Sequence, residues 1–516
     1  MDQQQHSVDG VTYQHAGHEY FAKRQLTRHA GAFALWGLGV AAVISGDFSG
    51  WNFGIAEAGW GGMVVATIVI GLMYLFMVYS IAEMSASMPH TGGAYSFART
   101  AMGPWGGYVT GVAESIEYVF TTAVVGVFAS SYADAIVSDL WGISWPLWVW
   151  MLIFYVIFVG LNTAGAAASF RFAITIAILS LLVLAIFFVT ALFSGKLSTD
   201  ALFDIAPTSG NTTFMPFGVG GVMLALPFAI WFFLGIEELP LAAEETHTPQ
   251  EDIPRGSVAG LFTLFVTAAL VLVLNPMVMG SETIGGSLEP ILDGFRVIFP
   301  NSSIAAVLSL AALTGLIASF QGIMFAAGRN VYSLSRAGYY PRFLSLTGAR
   351  KTPYVALLFT ALVGMVAVVV VPKVFNQDDV NFAGSLLNMA VFGAVIAYVL
   401  QMVTFVLLRI RRPEMERPYR SPSGTWGAAV AGVVAAVTLV ILFFNEGYRA
   451  PIVAIAVFFA VALIWFAAYG RTRLVLSPEE EFAVTGGKHG HPETEGYAVT
   501  EDEEDSGQAE YFPPVS

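Results

Sequence analysis

Apolar runs long enough to cross a bilayer recur twelve times along this 516-residue chain. About 20 apolar residues span the hydrocarbon core as an α-helix, whose backbone groups satisfy one another where water is absent. The runs begin near Gly31, Gly62, Gly107, Trp145, Phe172 and Phe217, then near Ser257, Ile304, Tyr354, Phe382, Gly427 and Pro451. Most connections are short; the longer ones are 195–216, 240–256, 280–303 and 333–353. Segment 282–300 carries Pro290, Gly294 and Pro300 and is expected to hold short helices outside the membrane. Charged residues make up only 12% of the chain, against roughly 25% in soluble domains. An all-α integral membrane protein is expected.

Lys and Arg fix the expected orientation. With the N-terminus inside, the alternate inner segments hold nineteen of the 23 basic residues, and the outer ones hold Lys196, Arg296, Lys373 and Arg449. Such a bias places both ends in the cytoplasm and supports an even number of spans. Three regions follow: an N-terminal cytoplasmic segment (1–28), a twelve-helix body (29–473) and an acidic tail (474–516). From Glu479 to Glu510 the tail has eleven acidic residues and one Lys, so it supplies most of the net charge of −14. It reads as disordered. The remainder is nearly balanced, with no basic patch for nucleic acid. The absence of cysteine excludes disulfides, thiol catalysis and Cys-ligated metal. The polar N-terminus, through Thr27, has no signal-peptide pattern.

Within this apolar frame Asp47 stands out, in the run Ser45-Gly46-Asp47-Phe48-Ser49-Gly50 of the first span. A carboxylate at membrane depth costs on the order of 3 kcal/mol unless water, a partner or a cationic ligand faces it. Ser and Gly hold a helix poorly, so a break is expected over Ser45–Gly50. The sixth span carries Pro227 and Gly235, and a second break is expected over Ile230–Gly235. The two spans are five apart, hence matched positions in two halves of opposite orientation. Paired interrupted helices of this kind point to a transporter binding site, because unwound backbone frees N–H and C=O groups.

Other carboxylates lie in apolar spans. Glu83 and Glu114 suit inter-helix or interfacial hydrogen bonds. Glu117 lies about ten residues into span 3, near mid-depth. Glu237 and Glu238 follow the second break. All eight His fall in termini or loops, so an intramembrane proton relay would have to use carboxylates. Trp231 and Phe232 flank the second break, and an aromatic face beside a carboxylate suits an organic ammonium. The expected substrate-binding residues are Ser45, Gly46, Asp47, Phe48, Ser49, Glu117, Trp231, Phe232 and Gly235, with Glu237 in coupling or gating. No nucleotide-binding loop, zinc-protease motif or nucleophile elbow occurs, and no enzyme or primary pump is expected.

The chain resembles the amino acid–polyamine–organocation carriers over all twelve spans. Ser45-Gly46-Asp47 stands where that family has Gly-Ser-Gly. Glu83-Met84 with Pro89-His90-Thr91-Gly92-Gly93-Ala94-Tyr95 matches the signature between spans 2 and 3. Trp231 through Glu237 matches that of span 6, continuing into Ala243-Glu244-Glu245-Thr246-His247-Thr248-Pro249 and Asp252-Ile253-Pro254-Arg255. Arg329, Ser335-Arg336-Ala337-Gly338 and Pro341 fit the loop after span 8, and Arg411-Arg412-Pro413 with Arg417-Pro418-Tyr419-Arg420 the loop after span 10. The resemblance implies a LeuT-like five-plus-five inverted repeat with two additional helices. The first span is most similar to the ethanolamine permease branch. Asp47 in the family's carboxylate-binding turn would repel a carboxylate and attract an ammonium.

The expected function is import of a small amine, ethanolamine first, across the plasma or inner membrane by alternating access. An amino-acid permease of the same fold is the nearest alternative, and a transporter-like sensor a remoter one. No cofactor is expected; a proton gradient, a Na⁺ gradient and facilitated diffusion all stay open. The partners are the amine and the lipid bilayer, and oligomeric state is not readable.

Overall fold

The computed structural model describes residues 5–8, 10–14, 20–21, 23–24, 26–300 and 302–485. Among them, nine helices are long and apolar enough to cross a membrane. Three shorter apolar helices, Ala32–Phe48, Leu147–Thr163 and Gly218–Ile230, complete the expected twelve. Span 1 opens with Ala32–Val43 and Ser45–Phe48, turns through 49–52 and continues as the first residues of the helix Phe53–Ser87. Gly59, at φ 69° and ψ 172°, separates that piece from span 2. Gly103, at φ 75° and ψ −173°, likewise divides Gly93–Trp141 into a short leading helix, 93–102, and span 3. Spans 4 and 5 are Leu147–Thr163 and Ala166–Phe193. Span 6 is Gly218–Ile230, five turn residues, and the 3₁₀ helix Ile236–Glu245. Spans 7 to 12 are Pro249–Met279, Ser302–Arg336, Tyr354–Phe375, Asp379–Arg411, Gly424–Ile441 and Arg449–Ala468.

The packing has the expected repeat. Span 3 lies on span 10 as span 8 lies on span 5. Span 7 lies against the first half of span 1 as span 2 lies against the first half of span 6. Each pairing maps onto the other when five is added to or taken from a span number, and five spans invert the chain direction. Spans 11 and 12 pack outside this unit, on spans 2, 3 and 10. The short helices between spans also correspond. Segment 93–102 precedes span 3, and Ser281–Gly285 with Pro290–Ile298 precede span 8, where short helices were expected. Inverted symmetry puts these two caps on opposite faces.

The acidic tail departs from expectation over its first twelve residues. Leu474–Val475 is a strand, β3, and Pro478–Thr485 a helix. The hairpin of strands β1 (Gln5–Val8) and β2 (Val11–Gln14) pairs with it, β2 running parallel to β3. The reason is local: Leu474, Val475, Phe482 and Ala483 are buried, and Glu479 and Glu480 find cationic and phenolic partners. Burial pushes the Glu479 carboxyl up, but Arg336 and then His90 pull further the other way and hold it below the usual carboxylate range. Residues 486–516, the rest of the expected tail, lie outside the described residues.

Candidate substrate site

The two breaks meet. A β-carbon on Gly46 would lie 2.2 Å from the Trp231 carbonyl oxygen, so the spans cross at a contact that only glycine permits. The Trp231 indole N–H donates to the Ser49 carbonyl at 2.9 Å. Ser49 is extended (φ −166°, ψ 156°), which frees that carbonyl from the helix ladder. Phe232 stacks on Trp51 with ring centroids 5.3 Å apart. Gly235, at φ +111°, reverses the chain into the second half of span 6. Replacing Gly46 with Ala is expected to abolish uptake. The contact is with backbone, which no rotamer change relieves, and overpacking costs about 1–3 kcal/mol or more. Uptake per folded carrier in vesicles measures it, and a wild-type rate would contradict the crossing.

The break in span 6 falls where expected. That in span 1 falls later, at 49–52 rather than over Ser45–Gly50. Ser45–Phe48 keeps a helical turn because its first N–H has an acceptor: the Ser45 N–H donates to Ser319 Oγ of span 8 at 2.8 Å. Ser319 in turn donates to the Ala41 carbonyl at 2.9 Å.

The expected residues divide into groups. Ser45, Gly46, Phe48, Ser49, Trp231 and Phe232 surround the crossing and are buried. Ser49 Oγ donates to the Leu288 carbonyl of the cap before span 8 (2.7 Å), so its hydroxyl holds the cap in place. The Phe48 carbonyl accepts from Tyr132 at 2.8 Å. Asp47 is 1% exposed, beside the Thr267 hydroxyl of span 7. That hydroxyl donates to the Leu264 carbonyl, and neither Asp47 oxygen has a hydrogen-bond partner.

Glu117, Gly235 and Glu237 form a second cluster. Both Glu237 oxygens accept from the Gly235 N–H, at 3.0 and 3.1 Å. The Tyr398 hydroxyl lies 2.7 Å from Glu237 Oε1 and 3.2 Å from Glu117 Oε1, and 2.9 Å from the Tyr74 hydroxyl. Glu238, next along, is buried with both oxygens unpartnered. Tyr74 and Tyr398 were missed in the sequence, because a Tyr in an apolar span gives no sign of the face it occupies. Glu83 and Glu114 make inter-helix bonds, Glu83 with Arg409 (3.0 and 2.5 Å) and Glu114 with Asn330 (3.2 Å).

Beyond Glu237 the chain is clamped by buried ion pairs. Glu245 meets the Arg329 guanidinium through two bonds of 2.9 and 3.0 Å, both side chains fully buried. Glu244 meets Arg336 at 2.7 and 3.0 Å.

Two interrupted helices crossing inside an inverted repeat, with clamps that close one end, define a membrane carrier. The chain belongs to the amino acid permease family, whose model matches residues 35–475. It is similar to the branched-chain amino acid permease of Bacillus subtilis (strain 168), 26% identical over 87% of this chain and 94% of the relative. It is also similar to the gamma-aminobutyric acid permease of Escherichia coli (strain K12), 27% identical over 79% and 86%. The D-serine/D-alanine/glycine transporter of Escherichia coli (strain K12) is 25% identical over 88% and 93%. The protein is a multi-pass membrane transporter of the amino acid–polyamine–organocation superfamily and not an enzyme.

Proposed function

We propose that the chain is a secondary carrier importing a small primary amine, ethanolamine first, through the crossing of spans 1 and 6. The observation that carries this reading is Asp47: buried in the helical turn just before the break, with both carboxylate oxygens unpartnered. A buried unpaired carboxylate favours a cation, and an ammonium supplies one. In this reading Trp231 or Phe232 would turn an aromatic face to the same group, which for Phe232 means leaving its stack on Trp51. In this reading Ser45, Gly46, Phe48, Ser49, Glu117 and Gly235 shape the site, both chain ends are cytoplasmic, and the carrier sits in the plasma or inner membrane.

A second reading, an amino-acid permease, is favoured by the relatives, whose names are those of amino-acid carriers. Ammonium is common to both substrate classes, and the carboxylate separates them. Counterflow of labelled ethanolamine in proteoliposomes, competed by a panel of amino acids, decides. Competition by ethanolamine but weakly by amino acids supports the first reading, and the reverse order supports the second.

For coupling, the Glu117–Glu237 pair supports a proton. The Tyr398 hydroxyl has one hydrogen for two carboxylates, so the second contact needs a proton on one carboxyl. No His or Lys stands in a span core to carry it instead. Glu237→Gln is expected to impair gradient-driven uptake far more than equilibrium binding. The check is uptake with pH and Na⁺ gradients varied independently; retention of the wild-type pH dependence in the variant would make Glu237 structural.

A further inference from the structure

We propose that segment 474–485 is an autoinhibitory clasp, docking on the face that carries both chain ends and holding the carrier shut there. The inference rests on the fold and is independent of which amine is carried.

Two adjacent carboxylates carry the docking. Glu480, fully buried, accepts from Arg99 Nε at 2.6 Å and from the hydroxyls of Tyr95 (2.8 Å) and Tyr339 (2.9 Å). It also accepts from Tyr13 of the N-terminal hairpin, whose hydroxyl receives a second bond from Arg99 at 2.7 Å. Glu479 accepts from Arg336 Nη2 at 2.5 Å and from Ser333 at 2.7 Å. The Val475 N–H donates to the Ala337 carbonyl at 2.9 Å. The Phe482 ring lies edge-on to His90, centroids 5.1 Å apart. The segment thus joins the leading helix 93–102, the loop before it and the end of span 8.

Arg336 makes this arrangement a gate device. It holds Glu244, at the end of the interrupted span 6, and Glu479 of the tail with the same guanidinium. Opening this face requires the end of span 6 to leave span 8 and the leading helix, since alternating access rocks one bundle against the other. The Thr91 N–H bonds Glu244 at 3.3 Å, and Gly93 packs on Leu241. The tail is fixed to the side of that seam that stays and shares the charge that holds the side that moves. Its bonds are also of a reversible kind. On release, the carboxylates and guanidiniums regain water, which offsets part of the loss of their mutual bonds.

Two measurements test this. The first is independent of substrate. The chain has no cysteine, so Ala243→Cys introduces a single thiol, buried at the closed face. In a carrier lacking residues 477–516 this thiol is expected to react with a maleimide at least about fivefold faster than in the full chain, the low end of ordinary coupling free energies. The second uses Gly92→Cys with Glu479→Cys. A β-carbon at 92 would lie 3.1 Å from the present Glu479 Cγ, within reach of a disulfide, and 2.9 Å from Ser96 Cβ and the Tyr95 ring, so Gly92→Cys alone is the reference for the reduced form. Reduced, the double variant is expected to take up labelled ethanolamine or labelled glycine faster than that reference. Oxidised, it should fall below wild type and recover on reduction. Should the truncated chain fail to fold, Glu479→Gln replaces it. Equal thiol reactivity in both chains, or equal uptake by the oxidised and reduced forms, overturns the clasp.

Discussion

Asp47→Asn is expected to weaken amine binding by roughly 2–5 kcal/mol, the usual effect of truncating one side of a buried charge pair. That is about 30-fold to several thousand-fold in Kd. The same substitution should raise the thermal stability of the substrate-free carrier. Asn is nearly isosteric, and the carboxyl it replaces is fully buried with neither oxygen hydrogen-bonded, an environment that penalises its ionised form. Opposite signs in the two measurements distinguish a ligand-binding carboxylate from a helix cap, whose loss lowers stability by about 1 kcal/mol. Asp47 makes no cap bond here, since both its oxygens are unbonded. Equilibrium binding of labelled ethanolamine to the purified variant, with its melting curve, is the check. Undiminished affinity removes the main support for an ammonium at this position. Asp47→Gly, which restores the small residue of the family's turn, should shift preference from amines toward amino acids.

Arg329→Met is expected to destabilise the carrier by about 3–5 kcal/mol, because it leaves Glu245 charged and buried without its partner. Arg329 and Glu245 are both fully buried, and the guanidinium also lies 3.6 Å from the centroid of the Phe325 ring. The double change Arg329→Met with Glu245→Leu should recover most of the loss, since replacing both members of a buried pair by apolar groups is often neutral. Melting temperatures of the two singles and the double in one detergent give the coupling. If the singles and the double fall on an additive line, the pair does not clamp the end of span 6.

The number of spans, the break in span 6 and the short helices before span 8 were legible because each depends on local composition. Apolar length sets a span, Gly235 permits the reversal, and Pro290 and Pro300 bound a helix. The break in span 1 was displaced by four residues because its position depends on Ser319, some 270 residues away, which accepts the Ser45 N–H and keeps one more turn. The bond from the Ser49 hydroxyl to the Leu288 carbonyl was not legible for the same reason. The docked tail was not legible at all. A run of glutamates reads as solvated unless its partners are known, and Arg99 and Arg336 stand far off in the chain. Asp47 and Glu237 were legible as exceptions, charges where composition allows almost none.

The two cap segments, 93–102 and 281–298, have a consequence for resting populations. In a carrier of two inverted halves, closing one face is the mirror operation of closing the other, and the two orientations are close to degenerate. Here the caps correspond, but the helix Pro478–Thr485 sits on one of them and has no counterpart on the other among the described residues. Any free energy in that unmatched contact enters the ratio of outward to inward populations directly, at about 1.4 kcal/mol for each tenfold. With the clasp docked as proposed, an empty carrier of this sequence is expected to rest with the tail-bearing face closed, its readiness to accept a substrate from the opposite side set by residues that never meet that substrate.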